Sequence, residues 1–292
     1  MIEIYLLEQL HAFEQYGTLS AASEQLHLSQ PALTHSMQKL EELMGVELFE
    51  RKKNRITLNE NGKLTARYAE KILEQERDMI ERVRLFDKSR RTLTLGSCAP
   101  VPVADLVPLL TQTFGGMTIA SEVKNHDREL LEGLQRGYYQ IVVLHEEPKG
   151  PDLYWKAYRE ERLSLSVPED HPLSKYSELT LREIDGQNLL LYTEIGFWYE
   201  MCREKLPNAH FLLMNEYDVF GEIAGTGAFP SFVSDIVKDG KYVQKGKKII
   251  PILDDEVKVT YYCVCRASDK KRFQPLYHQL EDSDWEKNLT AL

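Results

Sequence analysis

The chain has 292 residues, 42% of them hydrophobic and 28% charged, with a formal net charge of −10. That length suits two domains better than one, and the apolar fraction is enough to bury a real core, so a disordered chain is excluded. No run approaches the roughly 18 continuous apolar residues of a membrane span, and the first thirty residues hold no secretory leader pattern, so a cytoplasmic location away from membranes is expected.

The acidity is uneven. Residues 1–60 carry nine acidic against five basic side chains, residues 61–91 six against nine, and the remainder 31 against 22. The densest basic cluster is Arg51, Lys52, Lys53 and Arg55. A small basic patch can hold phosphate while an acidic bulk repels non-specific nucleic acid.

The first helix is predicted over Ile4–Tyr16, where Ile4, Leu7, Leu10 and Phe13 repeat every three residues and Gly17 provides a stop. A second helix opens at Ser20, with Ala21 and Ala22 small enough for close helix approach. After a short turn at His27 and Leu28, Ser29 is placed to cap a third helix with Pro31 in its first turn. That helix carries Leu33, Met37, Leu40 and Leu43 on one face and ends at Gly45. Two short helices joined by a tight turn form a helix-turn-helix pattern. Short apolar strands at 46–51 and 55–59 then flank the basic cluster as a hairpin, or wing.

The run Leu19-Ser20-Ala21-Ala22, Leu26-His27-Leu28-Ser29-Gln30-Pro31-Ala32-Leu33-Thr34, Met37, Leu40-Glu41, Gly45-Val46-Glu47-Leu48-Phe49-Glu50-Arg51, Leu58-Asn59 and Gly62 resembles the N-terminal signature of LysR-type transcriptional regulators, with the family's internal spacing. Thr34 stands where serine is commoner, and Asn59 where threonine usually precedes the linker helix. Both keep a short hydrogen-bonding side chain. The resemblance implies a winged helix-turn-helix that reads double-stranded DNA. Gln30, at the start of the third helix, can reach base edges and pair with adenine. Ser29, Pro31, Thr34, His35 and Gln38 share or border its polar face, and Arg51, Lys53 and Arg55 would hold phosphates or enter the minor groove.

Residues 61–86 form a helical stretch roughly 39 Å long at 1.5 Å per residue. Leu64, Tyr68, Ile72, Met79, Val83 and Phe86 make a heptad-like seam broken at Gln75. So narrow a stripe wants a partner chain, the alternative being packing on its own body. The resemblance favours a homodimer or homotetramer. Lys88 to Arg91 mark a polar hinge.

From Thr92 the pattern alternates between strand and helix. Strands are predicted at 92–96, 118–123, 140–144, 163–167, 188–192, 211–215, 228–233, 248–253 and 258–266, and helices at 103–114, 127–136, 217–225 and 273–280. This order argues a mainly parallel sheet covered by helices. It resembles the family's effector domain, two α/β lobes like those of type 2 periplasmic binding proteins. The matching stretches are Glu129–Leu134, Leu163–Leu173 and Gly221–Pro230. The expected fold is therefore α+β and multidomain: 1–60 a winged helix-turn-helix, 61–91 a linker helix and hinge, and 92–292 a two-lobed effector domain. Lobe one would take 92–161 and 267–292, and lobe two 162–266, with crossing strands near 162–167 and 261–266.

Ligands of open α/β folds bind beyond the carboxyl ends of strands. On that rule Ser97, Cys98, Pro100, His145, Thr193, Gly196 and Phe197 are candidates for effector contact, with Phe197 or Trp198 as an apolar wall. The helix opening after Ser97 favours an anionic effector. The four cysteines Cys98, Cys202, Cys263 and Cys265 contain no C-x-x-C pair, so no metal motif is signalled and no cofactor is expected. Whether Cys98 or Cys202 is redox-active stays open.

No G-x-S-x-G elbow, P-loop or H-E-x-x-H stands in the sequence, so an enzyme is not expected. A periplasmic binding protein is disfavoured by the helix-turn-helix. The expected partners are an interrupted inverted repeat in promoter DNA, a small-molecule effector, further copies of the chain, and RNA polymerase.

Overall fold

The computed structural model describes residues 1–52, 55–236 and 246–282. They form two compact units, residues 1–84 and 85–292.

The first unit opens with α1 (Ile4–Tyr16), α2 (Leu19–Gln25) and α3 (Gln30–Met44). The second helix starts one residue before the expected Ser20, because Thr18 rather than Ser20 caps it, accepting the Ala21 amide at 3.2 Å. Ser29 caps α3 as expected, accepting the Ala32 amide at 3.3 Å, and Pro31 lies in the first turn. Leu6, Leu10, Phe13, Leu33, Leu40 and Leu48 are buried together in this unit's core. β1 (Phe49–Lys52) and β2 (Arg55–Leu58) pair antiparallel as the wing. Asn59 then caps α4 (Glu60–Ser89), accepting the Gly62 amide at 2.8 Å. A Cβ on Gly62 would lie 2.1 Å from the Leu48 carbonyl oxygen, so only glycine lets α4 start this close to the wing.

The second unit is built on one mixed sheet. Its strands are β3 (Thr92–Ser97), β4 (Thr118–Val123), β5 (Ile141–Leu144), β6 (Leu153–Pro168), β7 (Asn188–Tyr192), β8 (His210–Met214), β9 (Ser231–Ser234), β10 (Lys247–Pro251) and β11 (Lys258–Arg266). The order across the sheet is β4-β3-β5-β11-β6-β9-β7-β8, with β10 pairing on β6. β3, β4 and β5 run parallel, as do β7, β8 and β9. These two parallel groups are the lobes, and β6 and β11 are the strands that join them.

Helices α5 (Pro100–Thr113), α6 (Asp127–Arg136) and α10 (Lys270–Asp282) cover the first group, and α7 (Leu181–Ile184), α8 (Phe197–Lys205) and α9 (Tyr217–Thr226) belong to the second. Leu93, Leu95, Leu106, Val142, Tyr261 and Phe273 are fully buried in the core. Three elements depart most from the sequence reading. β6 begins ten residues before the expected 163, because its first half carries Lys156, Arg159, Glu160, Glu161 and Arg162 and does not look apolar. Neither the short α7 nor α8 was expected.

Two of those charges are buried inside the sheet. Arg159 and Glu161 are 9% and 3% exposed. The Arg159 guanidinium donates to Asp105 of α5 at 2.6 Å. The Tyr261 hydroxyl and the Trp198 indole donate to Glu161. Burial pushes the Asp105 carboxyl up to about 6, against the opposing pull of Arg159. This carboxyl therefore holds its proton more tightly in the folded chain than in the unfolded one. Its contribution to stability is fully present below about pH 4 and is lost as pH rises through about 6. A rise of that size corresponds to roughly 3 kcal/mol at most. Unfolding free energy measured from about pH 4 to about pH 7 should fall over that window in the natural chain, and Asp105→Asn should flatten the slope; an equal slope in both would refute the assignment.

Candidate functional site

In the first unit, α3 buries Leu33, Met37 and Leu40 and exposes Gln30, Pro31, His35 and Gln38. These exposed positions, with half-buried Thr34, follow the i, i+3, i+4, i+7 spacing of one helix face. Thr34 spends its hydroxyl hydrogen on the Gln30 carbonyl at 2.9 Å. The Gln30 and Gln38 amides stand at the surface with both donor and acceptor available to a groove.

Arg51 is tied back to the same helix. Its guanidinium meets Glu41 at 3.1 Å, and Glu41 also accepts the Leu48 and Phe49 amides at 2.7 and 3.1 Å. Glu41 thus joins the wing to α3, a role the helical pattern did not single out. Lys53 lies outside the described residues, as does the side chain of Arg55.

α4 has two faces. Gly62, Thr65, Ala66, Ala69 and Leu73 are buried. Leu64, Tyr68, Ile72, Met79, Val83 and Phe86, the whole expected seam, are between 42% and 69% exposed.

In the second unit the expected effector residues fall into two places. Ser97 is fully buried, and its hydroxyl is used locally, donating to the Ala99 carbonyl at 2.6 Å and accepting the Ala99 amide at 3.3 Å. With Ala99 so engaged and prolines at 100 and 102, the opening of α5 leaves the Val101 amide as its one free first-turn donor. Cys98 and His145 directly follow β3 and β5, and Gly196 and Phe197 open α8 against them. The Phe197 amide donates to the Cys98 carbonyl at 2.9 Å. The Phe197 ring stacks on His145 with centroids 4.2 Å apart and planes 5° from parallel. Gly196 has φ +65° and ψ −137°, and a Cβ there would lie 1.9 Å from the Cys98 oxygen. The lobes meet at this junction. Thr193 is held by its amide on the Met214 carbonyl at 2.8 Å.

A cavity of about 200 Å³ opens beside the junction and reaches deeper into lobe two. Tyr192, Trp198, Tyr217, Phe220, Phe232 and Ile249 supply much of its wall, with Glu161 and Lys247 as its charged groups. Of the seven expected effector residues, Pro100 alone lines it among the described residues. The rest of the wall comes from Val101 beside Pro100, from Ile195 just before α8, and from β6, β7, β9, β10, α8 and α9. α9 roofs it without burying a single residue. Glu161 is held above the ordinary carboxyl range by burial, against the hydrogen bonds it accepts. Lys247 is half-buried, donates to the Ala224 carbonyl at the end of α9, and is lowered by burial.

Residues 4–63 match the family described as bacterial regulatory helix-turn-helix protein, lysR family, and residues 87–282 match the LysR substrate binding domain. The chain belongs to the LysR family. It is a DNA-binding transcriptional regulator with an effector-binding domain, in a family of regulators rather than enzymes. It is 30% identical over 207 residues to the uncharacterized HTH-type transcriptional regulator YybE of Bacillus subtilis (strain 168), a match covering 68% of this chain and 70% of that one. It is 24% identical to the hydrogen peroxide-inducible genes activator of Haemophilus influenzae, over 91% of each chain. Its fold is that of a full-length OxyR variant from Pseudomonas aeruginosa, with TM-score 0.52 and 21% identity, covering 98% of this chain and 96% of that one. Among the described residues no helix of this LysR-family chain is long and apolar enough to cross a membrane.

The lobe junction depends on Gly196. Gly196→Ala would force a side chain into a backbone oxygen at a φ that L residues rarely adopt, at a cost of about 2–4 kcal/mol. Thermal unfolding of the full chain should show a lowered midpoint with operator binding by the first unit retained; an unchanged midpoint would show that the junction is not closed in solution.

Proposed function

We propose that this regulator binds an interrupted inverted repeat in promoter DNA as a homo-oligomer. Residues 1–60 read DNA, 61–91 link and dimerise, and 92–292 take the effector, with lobe one at 92–161 and 267–292 and lobe two at 162–266. The observation that carries the reading is the two-faced α3, whose apolar side is buried while Gln30, Pro31, His35 and Gln38 are presented together. A helix so placed enters a major groove with its N-terminal residues at base edges. Gln30 reads a base, Ser29 and Thr34 hold the helix end and approach phosphates, and Arg51, Lys53 and Arg55 serve the backbone from the wing.

The oligomer rests on α4. Six large apolar side chains in heptad-like spacing are left in water on one face, and packing on the chain's own body does not cover them. A second copy of α4 supplies what such a seam needs. Two linked reading units impose two-fold symmetry on the DNA site.

The effector is proposed to be a small molecule with an apolar body, fitted to the aromatic wall of the lobe-two cavity, and an acidic group. The anion's support is the Lys247 ammonium on the cavity wall together with the Val101 amide at the opening of α5. The effector works by changing how the lobes meet, and with it the spacing of the DNA-reading units presented to RNA polymerase.

Sheared genomic DNA selected on the purified protein and sequenced at two salt concentrations tests the DNA reading. A few discrete inverted repeats that survive the higher salt are expected, and Gln30→Ala should relax discrimination at one position per half-site by about 1–3 kcal/mol. Enrichment that vanishes uniformly with salt would leave only phosphate binding. For the oligomer, the double variant Ile72→Asp, Val83→Asp should sediment at a smaller mass and bind an isolated operator at least tenfold more weakly; an unchanged mass would remove α4 from the interface.

A further inference from the structure

Four cysteines are buried in this chain, and one of them has unusual company. A structural cysteine ordinarily sits among hydrocarbon as a small hydrophobe. Cys98 lies at the end of β3 with the Asp127 carboxylate and the His145 imidazole beside it. One donor atom from each of the three lies within 4.8 Å of the other two. Sulfur, nitrogen and oxygen converge from three places far apart in sequence, at the carboxyl ends of β3 and β5 and the start of α6.

The geometry points to a binding site for a thiophilic divalent cation of the zinc class, held by the Cys98 thiolate, the Asp127 carboxylate and an imidazole nitrogen of His145. Three protein ligands of these types, with a fourth position left to water or effector, are an ordinary zinc donor set. The thiol proton is released to solvent when the cation binds. The thiolate and the carboxylate together carry two negative charges, which the dication neutralises with the imidazole neutral.

Two further observations support the site. The ligands are held in place before any cation arrives. Asp127 accepts the amides of His145 and Glu146, each at 3.1 Å, and its other oxygen meets His145 Nδ1 at 2.9 Å. Cys98 is fixed through its amide on the Val143 carbonyl at 3.0 Å and through its carbonyl under the Phe197 amide. Last, there is an approach: the His145 and Asp127 side chains are 26% and 13% exposed while Cys98 is sealed. The site differs from the effector cavity, whose wall includes none of the three. Two of its three ligands hold Phe197 of α8, so a cation here sits on the contact through which the lobes meet. No pairwise cysteine spacing announces it, because the fold rather than the local sequence assembles it.

The test uses the full chain, freed of metal by a chelator, and titrated with Co²⁺ and then Zn²⁺. One equivalent of Co²⁺ should bind with a sulfur-to-cobalt charge-transfer band, and Zn²⁺ should displace it. Cys98→Ser should abolish the band and weaken Zn²⁺ at least 100-fold, while Cys265→Ala should leave both intact. Asp127→Asn and His145→Gln, each weakening Zn²⁺ at least tenfold, serve if Cys98→Ser fails to fold. Absence of the band in the natural chain, or its persistence in Cys98→Ser, overturns the proposal. DNA selection with the metal-free chain stands apart from this result: discrete sites recovered without any cobalt band would sink the cation site and leave the regulator reading untouched.

Discussion

The second unit hangs on the antiparallel pairing of β6 with β11. Every other strand group attaches to one of these two: β5 and its parallel neighbours to β11, β9 and its neighbours to β6, and β10 to the far end of β6. The pairing runs from Lys258 opposite Arg162 to Arg266 opposite Leu153, with an irregularity between Tyr261 and Tyr262. A sheet can bury charged residues at its centre only if their partners arrive with matching geometry. Arg159 takes its partner from α5 of lobe one, and Glu161 takes Trp198 from α8 of lobe two and Tyr261 from β11. The buried charges therefore fix both lobes onto the shared strands, and a hydrophobic pair at these positions would not specify which helices must come with them.

The consequence for function lies in where those anchors sit. Trp198 and Glu161 both face the cavity, and Trp198 follows Phe197, which packs on His145 and Cys98. α8 is thus held at its first two residues by the strands on one side and by lobe one on the other. A ligand that presses on Trp198, or a cation that draws Cys98 and His145 together, acts on the same short segment. Coupling of this kind needs no long path, because the two positions are adjacent in sequence. α9, by contrast, buries none of its residues, so the roof of the cavity has little packing to lose when something enters.

How much of this could be read from the residues depends on how local the determinants are. The first unit was legible almost position by position. Its helices carry apolar residues at regular spacing, its caps are Ser29 and Asn59, and its stops are Gly17 and Gly45. It slipped at the start of α2, where two hydroxyl residues two positions apart competed for the cap and Thr18 won, at the wing, whose first strand begins at Phe49 rather than 46, and at Leu43, which is exposed. The α4 seam was also legible, since exposure of Leu64, Tyr68 and Ile72 follows from helical geometry once Ala66 and Ala69 take the buried side. The first half of β6 was not legible. Arg159 and Glu161 look solvated until Asp105, 54 residues earlier, and Tyr261, 100 residues later, are brought to them. α8 was missed because no side chain caps it and it begins on a glycine in a conformation that periodicity cannot register.

The effector residues show the same limit in a different form. The rule that ligands sit beyond strand ends led to Cys98, His145, Gly196 and Phe197, and the fold does bring those four together. What strand-end reasoning could not supply was depth. The cavity is walled by α9, which packs on β7 and β8, and by β10, and where these elements stand is set by the fold rather than by any pattern along the chain. Nor did it weigh the prolines. Pro100 and Pro102 were visible in the sequence, and the absence of their amides from the opening of α5 follows from covalent structure alone. A helix start is an anion site only in proportion to the N–H groups it still has free. Here that proportion is small, so the charge of any anionic effector has to be met chiefly by a side chain, and Lys247 is the cation that the cavity wall provides.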